Sequence, residues 1–205
     1  MALDRGTVVR TALRVLDEVG VENLTLRRIA TELNVQAPAL YWHFKNKQEL
    51  VDEMATTVLV EALSSAEHAE DWESLLIGYG RALRAALLSH RDGAKVFSGT
   101  YLTDPDVYKG QERGLRMLVD AGFTLADAVS GLITVHCYAT GHAVEEQAAQ
   151  PGPGEVARRY DPQARAERID AETLPLAHEA STQLFGDFDD RFERGLRLIV
   201  RGMRP

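Results

Sequence analysis

Apolar residues recur at three- and four-residue spacings along most of the chain, and this period constrains the fold more than any other feature. One side of a helix predicted over residues 7–19 carries Val8, Val9, Ala12, Leu13, Leu16 and Val19. Such a stripe is typical of an amphipathic α-helix with one buried face. No convincing run of alternating apolar and polar residues indicates a β-strand. The sequence therefore predicts an all-α fold.

Helix signals divide the first third of the chain into short segments. Gly20 stands where a helix end favours positive φ, and Thr25 can cap a helix over 26–33. A short helix is expected over 36–43, with Pro38 in its first turn. Asn46, three residues before a glutamate, resembles a capping box and opens a helix through residue 63.

Longer helices follow, and a segment rich in proline and glycine interrupts them. We expect helices over 71–89, 93–97, 104–121, 124–147, 175–185 and 187–202. The stretch 150–154 must break the helical run. The region 150–174 is expected to be a mobile loop or a poorly formed helix.

Net charge alone argues against a nucleic-acid partner. The 205 residues carry 23 basic and 31 acidic side chains, a net charge of −8. The first 50 residues hold seven basic and six acidic side chains, whereas the remaining 155 hold 16 and 25. Between Arg27 and Lys47, four basic side chains and His43 stand against one acid, Glu32. An excess of this size is usually ordinary solvated surface, so its meaning depends on the structural pattern around it.

Cysteine content and hydropathy exclude several classes of protein. The single cysteine, Cys137, rules out a disulfide within the chain and a CxxC-type metal site, and we expect it to pack inside the helix over 124–147. No apolar run approaches the roughly 18 to 20 residues that span a bilayer. The first residues lack the apolar segment of a signal peptide. We therefore expect a cytoplasmic protein without a membrane partner.

Three short helices within the first 45 or so residues match a helix-turn-helix in length and rhythm. The pair would be 26–33 and 36–43, of which the second lies in the major groove. We expect Ala39, Leu40 and Phe44 to face inward. The outward positions are Gln36, Ala37, Pro38, Tyr41, Trp42 and His43.

The outward residues suit contacts with DNA. Glutamine can form two hydrogen bonds with adenine, and alanine or proline can pack against a thymine methyl group. Tyr41 and His43 can donate to phosphates, and Arg27 and Lys47 lie where backbone contacts form. The alternative is an ordinary core segment over 41–44, with Trp42 packed against the first helix. For the aromatic cluster taken alone, that alternative is the better interpretation.

Several strings resemble a known family. Residues 24–30 (LTLRRIA), 33–35 (LNV) and 39–47 (ALYWHFKNK) are similar to the DNA-binding domain of the tetracycline-repressor family. Residues 86–96 (ALLSHRDGAKV), Gly99-Thr100 and 141–147 resemble a narrow branch of that family. The resemblance covers essentially the whole chain and weakens after Gln150.

The resemblance implies a homodimeric repressor, not an enzyme, that binds double-stranded operator DNA and a small-molecule effector. It assigns residues 1–46 to the DNA-binding domain and 47–205 to a ligand-binding and dimerisation domain, joined by the helix 46–63. When the family's contacts are carried over by position, the phosphates would be held by Arg27, Tyr41, His43 and Lys47. The residues in or over the major groove would be Gln36, Ala37, Pro38 and Trp42, and Thr25 joins the set as the helix cap. Ala37 replaces a larger polar residue that helps to read bases, so a different operator preference is expected.

The resemblance also implies an effector pocket in the larger domain. The narrow branch binds a magnesium–tetracycline chelate through a histidine that aligns with Phe97. Because phenylalanine offers no ligand for a hard cation, we expect the chelate mode to be lost and no cofactor to be bound. A flat or aromatic, largely apolar effector, oriented by one or two hydrogen bonds, is expected instead. The expected ligand-binding residues are Leu63, Tyr79, Leu83, Phe97, Thr100, Tyr101, Leu115, Leu132, Val135, His136 and Glu145.

Each of these assignments has a simpler alternative. Any one of the apolar residues is more often plain core, and Glu145, an acid retained from the narrow branch, is equally well a surface carboxylate. Other functions stay open as well: a tetracycline-type repressor with altered drug contacts, an activator, or an all-α enzyme acting on a small apolar molecule. The enzyme has the least support, because the six histidines form no HExxH motif.

Two DNA half-sites related by a two-fold axis are bound by a protein dimer with the same symmetry. The resemblance implies that the helices over 124–147 and 187–202 form a four-helix bundle with their copies. The last helix carries a stripe of Phe188, Phe192, Leu196, Ile199 and Met203. From the pattern alone, this stripe could face a partner subunit or the chain's own core.

Overall fold

The computed structural model describes residues 3–65, 69–149 and 161–205. Within these ranges the chain forms α-helices and one 3-10 turn (Val21–Asn23), with no β-strand, which confirms the all-α prediction. None of the described helices is long and apolar enough to cross a membrane. The helices are α1 (Arg5–Val19), α2 (Leu26–Glu32), α3 (Ala37–Leu40), α4 (Lys47–Ser65), α5 (Trp72–Leu88), α6 (Gly93–Phe97), α7 (Asp106–Asp120), α8 (Leu125–Ala149), α9 (Pro162–Ala166), α10 (Pro175–Phe185) and α11 (Phe188–Gly202).

Local side-chain hydrogen bonds fix the helix ends of the N-terminal part, called here the head (residues 3–46). Thr25 Oγ1 accepts a hydrogen bond from the Arg28 N–H at 3.2 Å, so the predicted cap of α2 is confirmed. Asn46 Oδ1 accepts from the Glu49 N–H at 2.9 Å, while the Glu49 carboxylate accepts from the preceding Lys45 N–H at 2.7 Å. These bonds satisfy donors that a helix start leaves unpaired.

Two predicted boundaries need correction. The helix expected over 36–43 ends at Leu40 and continues as a turn, in which the His43 N–H donates to the Leu40 carbonyl at 3.0 Å. Residues 150–160 of the predicted loop lie outside the described residues. From Asp161 onward the chain forms α9 and further turns, so the expectation of a poorly formed helix fits this part better than that of a loop.

One hydrophobic core runs from the head into the larger C-terminal part, called here the body. Leu40 and Phe44 of the head are fully buried, and so are Met54 on α4 and Val135 on α8. Helices α5 and α8 pack along each other at the centre of the body, and α4 and α11 pack against them. Head and body are therefore packed parts of one continuous structure.

The apolar stripe of α11 faces this core. Phe192 and Leu196 are buried against the chain itself, at 1% and 0% exposure, and Phe188 is buried as well. Of the two alternatives, the internal face therefore holds for Phe188, Phe192 and Leu196, whereas Ile199 and Met203 are half-buried. The outer side of α11 carries Leu198 instead, at 72% exposure. Cys137, expected inside, is exposed on α8 in the single chain.

A buried ion pair ties the central helices together. The Arg84 guanidinium on α5 donates to both Glu146 carboxylate oxygens on α8, at 2.8 and 2.7 Å, and to Asp189 on α11 at 2.5 Å. Burial alone raises the pKa of Glu146, but the His142 ring and the Arg84 guanidinium hold it below its usual value. The carboxylate therefore stays charged, and the loss of Arg84 would leave a buried charge without its main partner.

Gly195 on α11 lies directly against Tyr138 of α8. A methyl group added there would lie 2.1 Å from Tyr138 Oη, which donates to the Arg191 and Phe192 carbonyls. Gly195→Ala should therefore lower the free energy of unfolding by about 1–3 kcal/mol, measured by denaturant titration. Gly110→Ala is the matched control, because its added methyl group meets nothing within 4 Å and alanine favours helix. Equal stability of the two variants would contradict this packing.

Candidate nucleic-acid interface and effector region

The turn between α2 and α3 is fixed by its own backbone. Asn34 has a φ of +53°, a left-handed conformation that asparagine tolerates better than most residues. The Asn34 N–H donates to the Thr31 carbonyl and the Val35 N–H to the Ala30 carbonyl, at 3.0 and 2.9 Å. These bonds set the angle between the two short helices of the head.

The outer side of α3 and the turn after it presents two large aromatic residues. Trp42 is 89% exposed and Tyr41 is 56% exposed, whereas Phe44 is buried beneath them. The alternative in which Trp42 packs against α1 is therefore wrong. An exposed tryptophan of this kind costs solvation free energy unless a partner covers it.

Two residues predicted to face outward are half-buried instead. Gln36 and Pro38 are exposed as expected, but Ala37 packs against the core cluster and His43 is partly covered. Ala37 is the first residue of the four-residue α3, and His43 lies in the turn after it. Ala39, expected to face inward, is half-buried.

Basic side chains flank this aromatic surface. Arg27 on α2 and Lys47 at the start of α4 are exposed, as is Thr25 before α2. The one acid in this stretch, Glu32, forms an ion pair with Arg14 of α1 at 2.8 Å. The surface consequently keeps its positive character although the whole chain is acidic.

Arg5 on α1 holds the end of this surface in place. Its guanidinium donates to the His43 carbonyl, contacts Glu53 at 3.0 Å and lies 4.4 Å from the centre of the Phe44 ring. The partners are about 40 residues away in the chain, so no local sequence pattern pointed to them. Arg5 therefore links α1, α4 and the turn that carries Trp42.

In the body, one pair of predicted ligand-binding residues is in direct contact. The Tyr79 hydroxyl lies 2.8 Å from His136 Nδ1, and the two rings are stacked. Burial, with a smaller contribution from Cys137, raises the pKa of Tyr79 to about 12. Partial burial of its ring lowers the pKa of His136, although the residue as a whole is exposed. Near neutral pH the tyrosine is therefore the donor and the neutral imidazole the acceptor.

The other predicted ligand-binding residues fall into three groups by burial. Leu83, Phe97 and Val135 are buried in the core, and Leu115, Leu132 and Thr100 are half-buried. Tyr101 is 71% exposed, and Glu145 is also exposed. Leu63 belongs to α4, but its side chain lies outside the described part.

The loop between α6 and α7 is hydrogen-bonded to α4. The Thr103 N–H donates to Thr56 Oγ1 at 2.9 Å, and the Thr103 hydroxyl donates to the Glu53 carboxylate at 3.0 Å. The same Glu53 oxygen accepts from Arg5. The loop that carries Thr100 and Tyr101 is thus joined to the head through a shared carboxylate.

An exposed apolar face lies on α8 beside its core contacts. Leu125, Val129 and Ile133 are exposed at four-residue intervals, and Leu198 of α11 lies next to the same region. An open groove of about 440 Å³ runs between α8 and the end of α11. Its lining includes Phe123, Asp127, Gly131, Thr134, Leu198, Ile199, Gly202, Met203 and Arg204.

A helix-turn-helix head joined to a larger helical body defines a DNA-binding transcriptional regulator. Two family models match the chain: bacterial regulatory proteins of the tetR family over residues 8–54, and the tetracyclin repressor-like C-terminal domain over residues 65–205. The chain belongs to the tetracycline-repressor family. Its members are ligand-responsive transcription factors, not enzymes, and bind operator DNA as dimers.

Individual relatives agree with this assignment. The tetracycline repressor protein class C of Escherichia coli is 39% identical over 205 residues, which cover 98% of this chain and 90% of that protein. The crystal structure of a possible TetR family transcriptional regulator from Streptomyces coelicolor A3(2) is 40% identical, with a TM-score of 0.85 and 97% and 98% of the two chains covered. TetR (class A) in complex with 5a,6-anhydrotetracycline and magnesium is 35% identical, with a TM-score of 0.71 and 98% and 97% covered.

The raised pKa of Tyr79 predicts a specific pH dependence of stability. An unfolded tyrosine loses its proton near pH 10, whereas Tyr79 keeps its proton in the folded chain up to about pH 12. Since the unfolded state then binds fewer protons, the free energy of unfolding should fall as the pH rises from about 10 to about 12. Denaturant titrations across this range should show a smaller fall for Tyr79→Phe than for the parent protein. Identical profiles would contradict the burial of this hydroxyl.

Proposed function

We propose that this protein is a dimeric repressor, working in the cytoplasm, whose effector is a small, largely apolar or aromatic molecule. The observation that carries the proposal is the exposed pair Tyr41 and Trp42 on the helix-turn-helix, flanked by Arg27 and Lys47. Aromatic side chains this exposed are best explained by a partner, and the basic side chains beside them suit phosphates.

In the proposed complex, α3 enters the major groove of the operator. Gln36, Ala37, Pro38 and Trp42 lie in or over the groove, where base edges are read. The phosphate contacts come from Arg27, Tyr41, His43 and Lys47, while Thr25 caps α2 beside the backbone. Because Ala37 is half-buried, its contribution is close packing rather than a polar contact.

The acidic body has a role in this proposal. Since it carries most of the excess negative charge, it repels DNA wherever the head is not presented. Non-specific binding, which depends on phosphate contacts, is thereby limited.

The dimer forms through the exposed face of α8 together with the outer side of α11. Leu125, Val129, Ile133 and Leu198 are large apolar side chains on this surface. A second copy, related by a two-fold axis, would cover them and place two heads against two half-sites. The four-helix bundle of the family is thus proposed here with a different face of α11 from the one its stripe suggested.

The effector region supports an apolar ligand. By the resemblance, Phe97 stands where the narrow branch has its magnesium-binding histidine, and Leu83 and Val135 are likewise apolar. Such a surface would match a flat hydrophobic molecule. Tyr79 and His136, which already contact each other, are the polar groups best placed to orient it. Because position 97 carries phenylalanine, it offers no imidazole to bind the magnesium ion of a chelate.

Helix α4 transmits effector binding to the head in this proposal. Glu53 accepts hydrogen bonds from Thr103 of the α6–α7 loop and from Arg5, which also holds the His43 carbonyl. A displaced α6–α7 loop would therefore move the end of the turn that carries Trp42. To lower operator affinity about 100-fold, the effector must favour the non-binding state by about 2.7 kcal/mol.

Arg27→Ala should weaken binding to the DNA fragment upstream of the protein's own gene. Because a phosphate contact is lost, the slope of log affinity against log salt concentration should also fall by about 1. Fluorescence anisotropy over a salt series measures both quantities. Arg113→Ala, which removes an exposed arginine from α7, is the matched control and should bind as the parent does. Lack of salt-sensitive, sequence-specific binding by the parent would contradict the proposed function.

Calorimetric titration with 5a,6-anhydrotetracycline tests the effector class. We expect the same binding curve with magnesium and with a chelator, because Phe97 provides no ligand for the ion. Binding that depends on magnesium would instead support the second candidate, a tetracycline-type repressor with altered drug contacts. That candidate has specific support in the 39% identity to a tetracycline repressor over nearly the whole chain.

A further inference from the structure

Residues 90–94, which comprise the turn after α5 and the first two residues of α6, are hydrogen-bonded to α8 by one side chain. The Gln147 amide nitrogen donates to the His90 carbonyl at 2.9 Å. The amide oxygen of the same side chain accepts from the Ala94 N–H, also at 2.9 Å. Gln147 therefore fixes both ends of the segment, and it is half-buried where it does so.

The same segment is hydrogen-bonded to the head on its other side. Asp17 of α1 accepts from the Arg91 N–H at 3.0 Å and lies 2.9 Å from His90 Nδ1. In return, Asp92 accepts from the Val21 N–H, in the turn after α1, at 2.9 Å. Each side thus supplies a carboxylate that accepts from a backbone N–H of the other.

The contact between residues 90–94 and the head, called here the joint, has little room for adjustment. Asp92 has a φ of +57°, and a methyl group added at Gly93 would lie 2.6 Å from the Leu87 carbonyl oxygen. A methyl group at Gly20, which has a φ of +74°, would lie 2.9 Å from the Asp92 carboxylate. The backbone at 90–94 therefore behaves as a stiff spacer between α8 and the head.

The position of this joint restricts how the head can move relative to the body. The chain connects head and body through α4, whose Glu49 and Glu53 contact Arg5 at the start of α1, whereas Asp17 lies near the other end of α1. A body attached at one helix can swing about it, whereas a second attachment far from the first removes that freedom. Head orientation then depends on how firmly residues 90–94 are held to α8.

We propose that Gln147 is a positioning residue for DNA binding: by clamping residues 90–94 to α8, it sets the orientation of the head on the body. It contacts the segment and acts on the head only through it. The inference rests on the proposed function in taking the head as the DNA-binding part. It does not involve the route through Glu53.

Amide hydrogen exchange measured by NMR on the full-length protein tests the clamp directly. In Gln147→Leu, which removes both hydrogen bonds, exchange at the Val21 and Arg91 amides should rise about tenfold, the effect of losing about 1.4 kcal/mol of local stability. Gln147 touches neither amide. Asp92→Ala, which removes the acceptor of the Val21 N–H itself, gives the rate at that amide for a released joint. The control is Gln111→Leu on the exposed side of α7, which should leave both rates unchanged.

The contrary outcomes are equally specific. Faster exchange at Ala94 alone would show a local bond without an effect on the head and would overturn the proposal. A uniform rise at all amides would show general destabilisation and would also overturn it. If Gln147→Leu does not fold, Gln147→Glu replaces it, because it keeps the size and the Ala94 acceptor but turns the donor to His90 into a carboxylate oxygen that repels the His90 carbonyl. Its exchange at Val21 and Arg91 should then rise as well, and unchanged rates would reject the clamp.

DNA binding separates this proposal from the proposed function. With a fragment that the parent binds, Gln147→Leu should lower the affinity about three- to tenfold and leave the salt slope unchanged, because no phosphate contact is lost. Arg27→Ala changes the slope, so the two effects are distinguishable. If the parent binds no fragment, the proposed function fails, while the exchange rates still decide whether Gln147 holds the head.

Discussion

Helix α4 packs against the head on one side and against the body on the other, and it holds the two together. Met54 and Ala55 are fully buried because α1 packs against one part of the helix and α5 and α6 against another. A helix in this position cannot move without disturbing the packing of the head, the body or both, since protein interiors are close-packed. The continuity of the core is thus the physical basis for communication between an effector region and a DNA-reading surface.

Ion pairs at the surface of the head determine which charges surround Trp42. Arginines of the head engage the nearby acids, since Arg14 pairs with Glu32 and Arg5 pairs with Glu49 and Glu53 of α4, so that the exposed cations dominate around Trp42. The total charge of the chain was therefore a poor guide to its partner. Distribution of charge over the folded surface decides which face can approach DNA.

Much of the fold follows from local sequence signals. Helical periodicity, the Thr25 cap and Gly20 after α1 predicted the type and approximate bounds of most helices, because caps and positive φ depend on neighbouring residues. The ends of α3 and the internal face of α11 were less predictable. A stripe such as that containing Phe192 is equally apolar whether it meets its own chain or another, so periodicity does not identify the surface that it buries.

The all-α class, the helix-turn-helix and, through family resemblance, the kind of protein follow from the sequence. Those conclusions rest on patterns within about ten residues or on strings that relatives share. The exposure of Trp42, the contact of Arg5 with the turn that carries it and the contact of Gln147 with residues 90–94 come from the packed structure. The two contacts join residues about 40 or more positions apart, and their geometry depends on packing angles between helices, which no local pattern encodes.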